Sequence, residues 1–357
     1  MSNFLNANEN VIGPQVTNYK SNQRHDDAFN IHGVYSSVTD YNYLTKTITY
    51  NNSASAYGNV TKHFKAGDKI LVYLPTSGRI LGETTAAADT VSHNGGEYFT
   101  LKLTDSLLYY FPDAIMFNLS ALGDGFLYDN CELRMSYPRG GVIKASGTMQ
   151  YCSISETGRA GILVSPEVVD THFCESGYVN GLNLLYNEIK NTNLTEELTD
   201  QNSALTIAGN SKNLNSGYIK HKNIKIIGNR FENWGAHAIY IDSADGVKIT
   251  DNMFVDSNAY PDNRSPIYIS GAKNVEISGN AFPVEFKFNQ RAEYSTSDTE
   301  NIFGIDLTEL LYDASHLLVL RKMLLGYMEK NYSFDFYKDG NIDLLDLVRL
   351  KKIIANG

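Results

Sequence analysis

The stretch Arg24-His25-Asp26-Asp27-Ala28-Phe29-Asn30-Ile31-His32-Gly33 packs six ionisable or amide side chains into nine residues, and two of them are adjacent carboxylates. Neighbouring acids repel, and burying either one is costly unless something hydrogen-bonds or neutralises it. The chemistry such a pair can do is general acid–base catalysis: a carboxylic acid gives a proton to a leaving group while a carboxylate takes one from water. The plainer alternative is a solvated turn held by Asx hydrogen bonds. Successive residues of a strand point to opposite faces, so Asp26 and Asp27 can serve one site only if the chain bends between them.

The elements that must hold these residues are legible as a repeat. Asn223-Ile224-Lys225-Ile226-Ile227-Gly228-Asn229-Arg230-Phe231, Gly246-Val247-Lys248-Ile249-Thr250-Asp251-Asn252-Met253-Phe254 and Asn274-Val275-Glu276-Ile277-Ser278-Gly279-Asn280-Ala281-Phe282 share one pattern, apolar-x-apolar-x-x-Asn-x-Phe. Their Asn residues are 23 and 28 positions apart. Leu182 to Ile189 fits the pattern with Asn187, 42 residues before Asn229, a spacing that reads as two turns. Cys131 and Cys152 fall at the Asn position of weaker copies. A second short apolar run accompanies each copy, at 141–144, 161–164, 204–207, 238–241 and 266–269. A period in the low twenties with a recurrent Asn predicts a right-handed parallel β-helix, with the Asn side chains stacked in a ladder inside its turns.

Residues 44–113 break the repeat. Phe64 to Tyr73 reads as a strand entered through the Gly67-Asp68 turn, and Tyr98 to Leu103 as another after the hairpin signal Asn94-Gly95-Gly96. These predict a small inserted β-barrel. The expected layout is β-helix over 1–43, barrel over 44–113, β-helix over 114–288, a linker over 289–298 and a separate module over 299–357.

That last module has its own chemistry. Leu317 to Gly326 reads as a helix ended by Gly. In the run from Asp335, acids or amides stand at Asp335, Asp339, Asn341, Asp343 and Asp346, with Gly340 at the sixth position of a twelve-residue loop. This spacing places oxygens around a hard cation such as Ca2+, and Ile342 pins the loop to a core. Tyr337 occupies the third position, where an oxygen ligand is usual. The run resembles the second repeat of a dockerin. The first repeat would place Ile305, Leu307, Glu309, Asp313 and His316 at its ligand positions, so the resemblance implies one calcium at most and a cohesin domain as partner.

Composition narrows the remaining classes. Net charge is −10, which disfavours nucleic acid as a partner, because binding it depends on Lys and Arg neutralising phosphate. No apolar run approaches the roughly 20 residues that cross a bilayer. Tyr numbers 24 and Asn is plentiful, types that suit both sugar recognition and all-β surfaces. Cys131, Cys152 and Cys174 show no metal-binding spacing and read as buried free thiols.

With β-helix, inserted module and Asp26-Asp27-Ala28-Phe29-Asn30-Ile31-His32-Gly33 together, residues 10–285 resemble glycoside hydrolase family 110, the bacterial exo-α-1,3-galactosidases. Arg139 to Ser146, Ala160 to Val164 and Glu175 to Val179 extend the resemblance. It implies an inverting enzyme that removes terminal α-galactose from glycans. Asp26 and Asp27 then belong to the acid/base set, with neither role assigned, and no cofactor takes part in the chemistry. Inversion needs two carboxyl groups roughly 6.5–9.5 Å apart. Glu175 is a further candidate acid, or the structural partner of an Arg. Arg24, Asn30, His32, Arg139 and Arg159 are candidates for gripping sugar hydroxyls, and packing roles serve each Arg and His equally well.

At most one coil precedes Asp26, and Met1 to Asn6 lacks the basic and apolar regions of a signal peptide. A dockerin-bearing hydrolase belongs outside the cell, so the expectation is an extracellular protein whose chain is truncated at its N-terminus, with an acid from an earlier coil either missing or replaced by one such as Glu9. Two other classes compete: another carbohydrate-active β-helix enzyme such as a lyase, and a non-catalytic glycan-binding rod.

Overall fold

A computed structural model describes residues 5–8, 10–51, 64–168, 175–194, 203–255, 265–282, 292–303, 320–321, 323–326 and 341–356. The described residues are mainly β and wind through three parallel sheets. Sheet 1 stacks Leu5–Asn8, the first residues of Phe29–Asn42, Gly141–Ile143, Ile162–Val164, Leu205–Ile207, Ile239–Ile241, Ile267–Ile269 and Ala292–Tyr294. Sheet 2 runs from Gln15–Thr17 to Thr299–Phe303, and sheet 3 from Lys20–Arg24 to Met253–Phe254. All five apolar runs expected beside the repeats are strands of sheet 1. This is a β-helix-like fold, as the repeat predicted.

The corner between sheets 2 and 3 shows why the sequence repeats as it does. Each coil turns there on one residue with φ between 52° and 67°: Asn18, Asn130, Tyr151, Tyr186, Gly228, Asp251 and Gly279. The next residue points inward and carries the ladder. Asn187, Asn229, Asn252 and Asn280 each accept, through Oδ1, the backbone N–H of the ladder residue one coil earlier, at 2.9–3.0 Å. Their Nδ2 groups donate back to Met149, Leu184, Ile226 and Ile249 carbonyls at 2.8–2.9 Å. Every polar atom of these buried amides is thereby used. Cys152 and Cys131 complete the stack, with Cys131 N–H directed at Cys152 Sγ at 3.4 Å. Both are free and buried; Cys174 lies outside the described residues. Phe231, Phe254 and Phe282 stack beside the ladder at 5.3 and 4.7 Å.

One spacing is corrected. Asn180–Leu185 pairs directly with His221–Ile227, so the 42 residues from Asn187 to Asn229 make one coil with long loops, not two coils.

The inserted module begins inside a strand. Phe29 to Ile31 pair in parallel with Gly141 to Ile143, whereas Tyr35 to Asn42 pair antiparallel with Ile115–Asn118 and Thr47–Asn51. Lys69–Leu74, Arg79–Thr85, Val91–His93 and Tyr98–Lys102 continue the antiparallel pairing, and an Ala86/Leu103 bridge joins its two ends. These strands enclose a second core of Ile48, Tyr50, Ile70, Val72, Leu81, Phe99 and Met116. The hairpin expected at Asn94-Gly95-Gly96 is present, closed by Gly96 N–H on His93 O. The boundaries differ from expectation on both sides: pairing with the module's own strands starts at Tyr35 rather than 44, and the coils resume at Phe126 rather than 114.

The β-helix also extends past 288. Ala292–Tyr294 and Thr299–Phe303 add strands to sheets 1 and 2, where a linker and the start of the last module were expected. Their side chains are mostly exposed, so no clear apolar alternation marks them; the backbone ladder, Asn301 on Asn274 and Ala292 and Ile302 packed against the core hold them. Further on, Leu320, Met323, Ile342, Leu347 and Leu350 form a separate small core, and Gly326 ends its turn with φ 75°.

Candidate active site

Asp27 and Arg139 hold equivalent places in adjacent coils, each two residues ahead of the paired positions Phe29 and Gly141. Stacked coils lie about 4.8 Å apart, so an acid and a guanidinium at equivalent positions must meet. Arg139 Nε and Nη2 donate to Asp27 Oδ1 and Oδ2, both at 2.9 Å. Strand alternation explains the rest. Phe29 and Ile31 point into the core, leaving Asn30 and His32 on the outer face, and the same register sets Lys144 beside His32.

That outer face is buried. Lys144 and His32 have no exposed surface, and Asp27, Asn30 and Glu175 keep 5% or less. Glu175 enters on Glu175–Ser176, antiparallel to Gly33 and Val34. It approaches closely because Gly177 has no side chain: a Cβ there would lie 2.1 Å from the Lys144 carbonyl. Lys144 Nζ donates to Glu175 Oε2 at 2.7 Å, to Glu167 Oε2 at 2.8 Å and to Asn30 Oδ1 at 3.3 Å. Asn30 Nδ2 donates to both oxygens of Glu175 at 3.1 Å. Arg139 Nη1 donates to Glu167, which closes the chain Asp27–Arg139–Glu167–Lys144–Glu175. His32 Nδ1 lies 2.7 Å from Gly33 O. A carbonyl only accepts, so Nδ1 carries the proton and Nε2 is directed at Glu175, 3.8 Å away.

Three carboxyls share two cations. With His32 neutral, full ionisation would leave one uncompensated negative charge in a buried cluster, so the cluster, His32 included, favours holding a proton. The Asp27 carboxyl is raised from 3.8 to about 6; burial is the largest cause, with Arg139 opposing it. Burial would raise Glu167 as well, but Lys144 and Arg139 outweigh it and hold Glu167 below its ordinary value. Arg139 is held above its ordinary value: burial works against the charge, and Asp27 and Glu167 more than restore it. A raised Asp27 and a raised Arg139 are compatible because Arg139 keeps Glu167 when Asp27 takes a proton.

The structure thus brings together Asp27, Asn30, His32, Arg139 and Glu175 from the sequence-derived set. Asp26 is on the same turn, half-buried, and its Oδ1 accepts the Asp27 N–H at 2.9 Å. The chain does bend at residues 25–28, as joint use of the pair requires. Glu175 is paired, but to a Lys rather than the Arg expected as its structural partner. Arg159 stacks one coil beyond Pro138, its backbone N–H on Pro138 O at 2.6 Å. Arg24 lies in sheet 3 opposite Ser136. Asp335 and Asp339 lie outside the described residues; Asn341, Asp343 and Asp346 are described, and Asp346 Oδ2 accepts the Asp343 N–H at 2.9 Å ahead of the helix Leu344–Asn356. Among the described residues no group of three or more His, Cys, Asp or Glu is placed to hold a metal ion.

Sequence reading missed Lys144 and Glu167. Lys144 could have been found, since the strand register sets it beside His32, one position past Ile143. Glu167 carries only a structural mark: a φ of 45°, left-handed backbone that an ordinary residue adopts at a cost of roughly 1–2 kcal/mol.

The chain matches no protein-family profile and no curated protein. Among solved structures it is similar to one described as a glycoside hydrolase, at 7% identity and a TM-score of 0.31, over 76% of this chain and 74% of that one. A likeness this low has no bearing on the assignment of function.

Proposed function

We propose that the chain is a secreted glycoside hydrolase that releases terminal α-1,3-linked galactose from glycans with inversion. The observation that carries this reading is the buried Asp27–Arg139–Glu167–Lys144–Glu175 network, with a carboxyl near 6 at the Asp27 end. An acid poised there is protonated often enough to donate and gives its proton up readily near neutrality. Asp27 protonates the glycosidic oxygen as the C1–O bond breaks. Asp26, with one oxygen outside its bond to Asp27 N–H, takes a proton from the water that attacks C1 from the opposite face. The resemblance at residues 26–33 supplies the galactose specificity and the stereochemistry.

A lyase would need a basic side chain within reach of substrate. Lys144 stands among acids, but it is fully buried and salt-bridged to two carboxylates. The non-catalytic glycan-binding reading rests on a different observation: every carboxylate of the network is already held by a cation. Assay of a terminal α-1,3-galactoside with the chain and with its Asp27→Asn variant separates the two. Galactose released by the first alone supports the enzyme; binding without release by either supports the rod.

The inserted strands are read here as a small closed barrel, and residues 335–346 as one calcium loop of a dockerin that binds a cohesin outside the cell. The donors are all oxygen, which suits Ca2+. Ile342 is buried against Leu320, Met323, Leu347 and Leu350, the anchoring such a loop requires. Calcium titration of chelator-treated protein by calorimetry should show one site at most, lost in Asp343→Ala. Heat absent from both proteins would sink the calcium assignment.

A further inference from the structure

Next to the Asp27 turn, at the corner between sheets 3 and 1, a groove of about 740 Å3 opens among Arg134, Met135, Tyr137, Glu156, Asn191 and Leu194. Three successive coils turn there on Met135, Glu156 and Asn191, with φ of 54°, 56° and 51°. The opposite corner turns the same way, so left-handed backbone is architecture; what differs is what the corner presents. Tyr137 is 51% exposed and Leu194 58%. A solvent-facing ring and an aliphatic side chain at one groove point to a ligand with an apolar face.

The ring is also held in place. Gly158 leaves the space for one edge of it: a Cβ there would sit 2.3 Å from Tyr137 Cδ2. Around it stand planar polar groups with capacity to spare. Arg134 grips Glu156 with Nε and Nη2 at 2.9 and 3.1 Å, which leaves Nη1. Asn191 Oδ1 accepts from Asn233 at 2.8 Å, and its Nδ2 has no protein partner among the described residues. A fixed aromatic ring beside a bidentate Arg–Glu pair and an amide donor matches a pyranose, which offers an apolar C–H face and a rim of hydroxyls.

We propose that this groove binds the sugar residue next to the one cleaved. The inference rests on the hydrolase reading for its substrate and on the groove for its geometry. Tyr137 is two residues from Arg139, so their Cα atoms are at most about 7 Å apart, about one sugar residue along a glycan. Arg139 is the residue that clamps Asp27.

The test uses the trisaccharide α-galactosyl-(1→3)-lactose and free galactose as probes, measured by calorimetry on the full chain. Tyr137→Ala should weaken trisaccharide binding about tenfold or more, leave galactose binding unchanged and leave the melting temperature unchanged. Tyr137→Leu, which keeps bulk without a ring, should behave like Tyr137→Ala. Gly158→Ala, which displaces the ring, should weaken binding too. If the protein hydrolyses the trisaccharide, Tyr137→Ala should raise KM and spare kcat. Trisaccharide affinity equal to that of galactose, unchanged in Tyr137→Ala, or absent altogether would overturn the proposal. Trisaccharide binding that depends on Tyr137, in a protein that releases no galactose, would keep the groove and overturn the hydrolase.

Discussion

At the scale of single residues, the site is a problem in charge balance. Three carboxyls face two cations, and the Asp27 carboxyl is pushed from 3.8 to about 6, chiefly by burial and against Arg139. A carboxyl raised on folding makes the folded state bind its proton more tightly than the unfolded state does. Its contribution to stability is therefore complete below about pH 4 and is lost as pH rises through 6. The difference is on the order of 3 kcal/mol. Asp27→Asn mimics the neutral acid. Urea unfolding should find the variant and parent equal near pH 4, with the variant more stable at pH 7. A variant less stable at pH 7 would show that the Arg139 pairing outweighs burial. The activity prediction belongs to this scale as well: Asp27→Asn should abolish galactose release while far-ultraviolet circular dichroism stays that of the parent.

The residues of this cluster were legible to different degrees. Asp26 and Asp27 stood out because adjacent acids are costly anywhere, and Asn30, His32, Arg139 and Glu175 through the resemblance. Glu167 was invisible because a lone Glu in a loop carries no periodicity. Its role follows from a left-handed backbone and from two cations contributed by another coil.

At the scale of elements, the ladder does the specifying. An interior Asn whose donors and acceptor are all used fixes the register of one coil on the next, since a slip of one residue would turn every side chain to the other face. Asn252→Ala removes bonds to both neighbouring coils and strands the Asn229 N–H, which Asn252 Oδ1 now accepts at 2.9 Å. We expect a loss of roughly 2–4 kcal/mol by urea unfolding. Hydrogen exchange should speed at Asn229 and leave Cys131 unchanged; uniform speeding along the whole helix would argue against local ladder energetics. The ladder was readable from spacing. The 42-residue coil was misread because loops outside the three sheets lengthen without disturbing it. The ends of the inserted module were misplaced for a related reason: Phe29–Asn42 is one unbroken strand that changes partners midway, and no local signal marks where a strand changes partners.

At the scale of the molecule, the inserted module is hooked to a distant coil. Ile80 N–H donates to Gly217 O and Ile219 N–H to Gly78 O, both at 2.8 Å. Gly78 turns with φ 71° and leaves no room for a side chain, since a Cβ would lie 2.7 Å from Ser211 Cβ. Gly78→Val should break the hook. Amide exchange should speed at Ile80 and Ile219, while Ile226 and Ile249 in sheet 2 stay protected. Unchanged exchange at Ile219 would show that the module is held elsewhere.

The sequence by itself determined the coil. A recurrent Asn beside alternating apolar residues, with a second apolar run in each repeat, points to stacked parallel coils, the ladder and the inward-facing core. The tertiary structure alone decided the site. Asp27 meets Arg139, and Lys144 meets Glu175, because coils separated by a long insertion stack in register, and the distances between them along the chain carry no trace of that contact. Burial then raised the Asp27 carboxyl. Desolvation comes from everything packed around a group, and no motif records that.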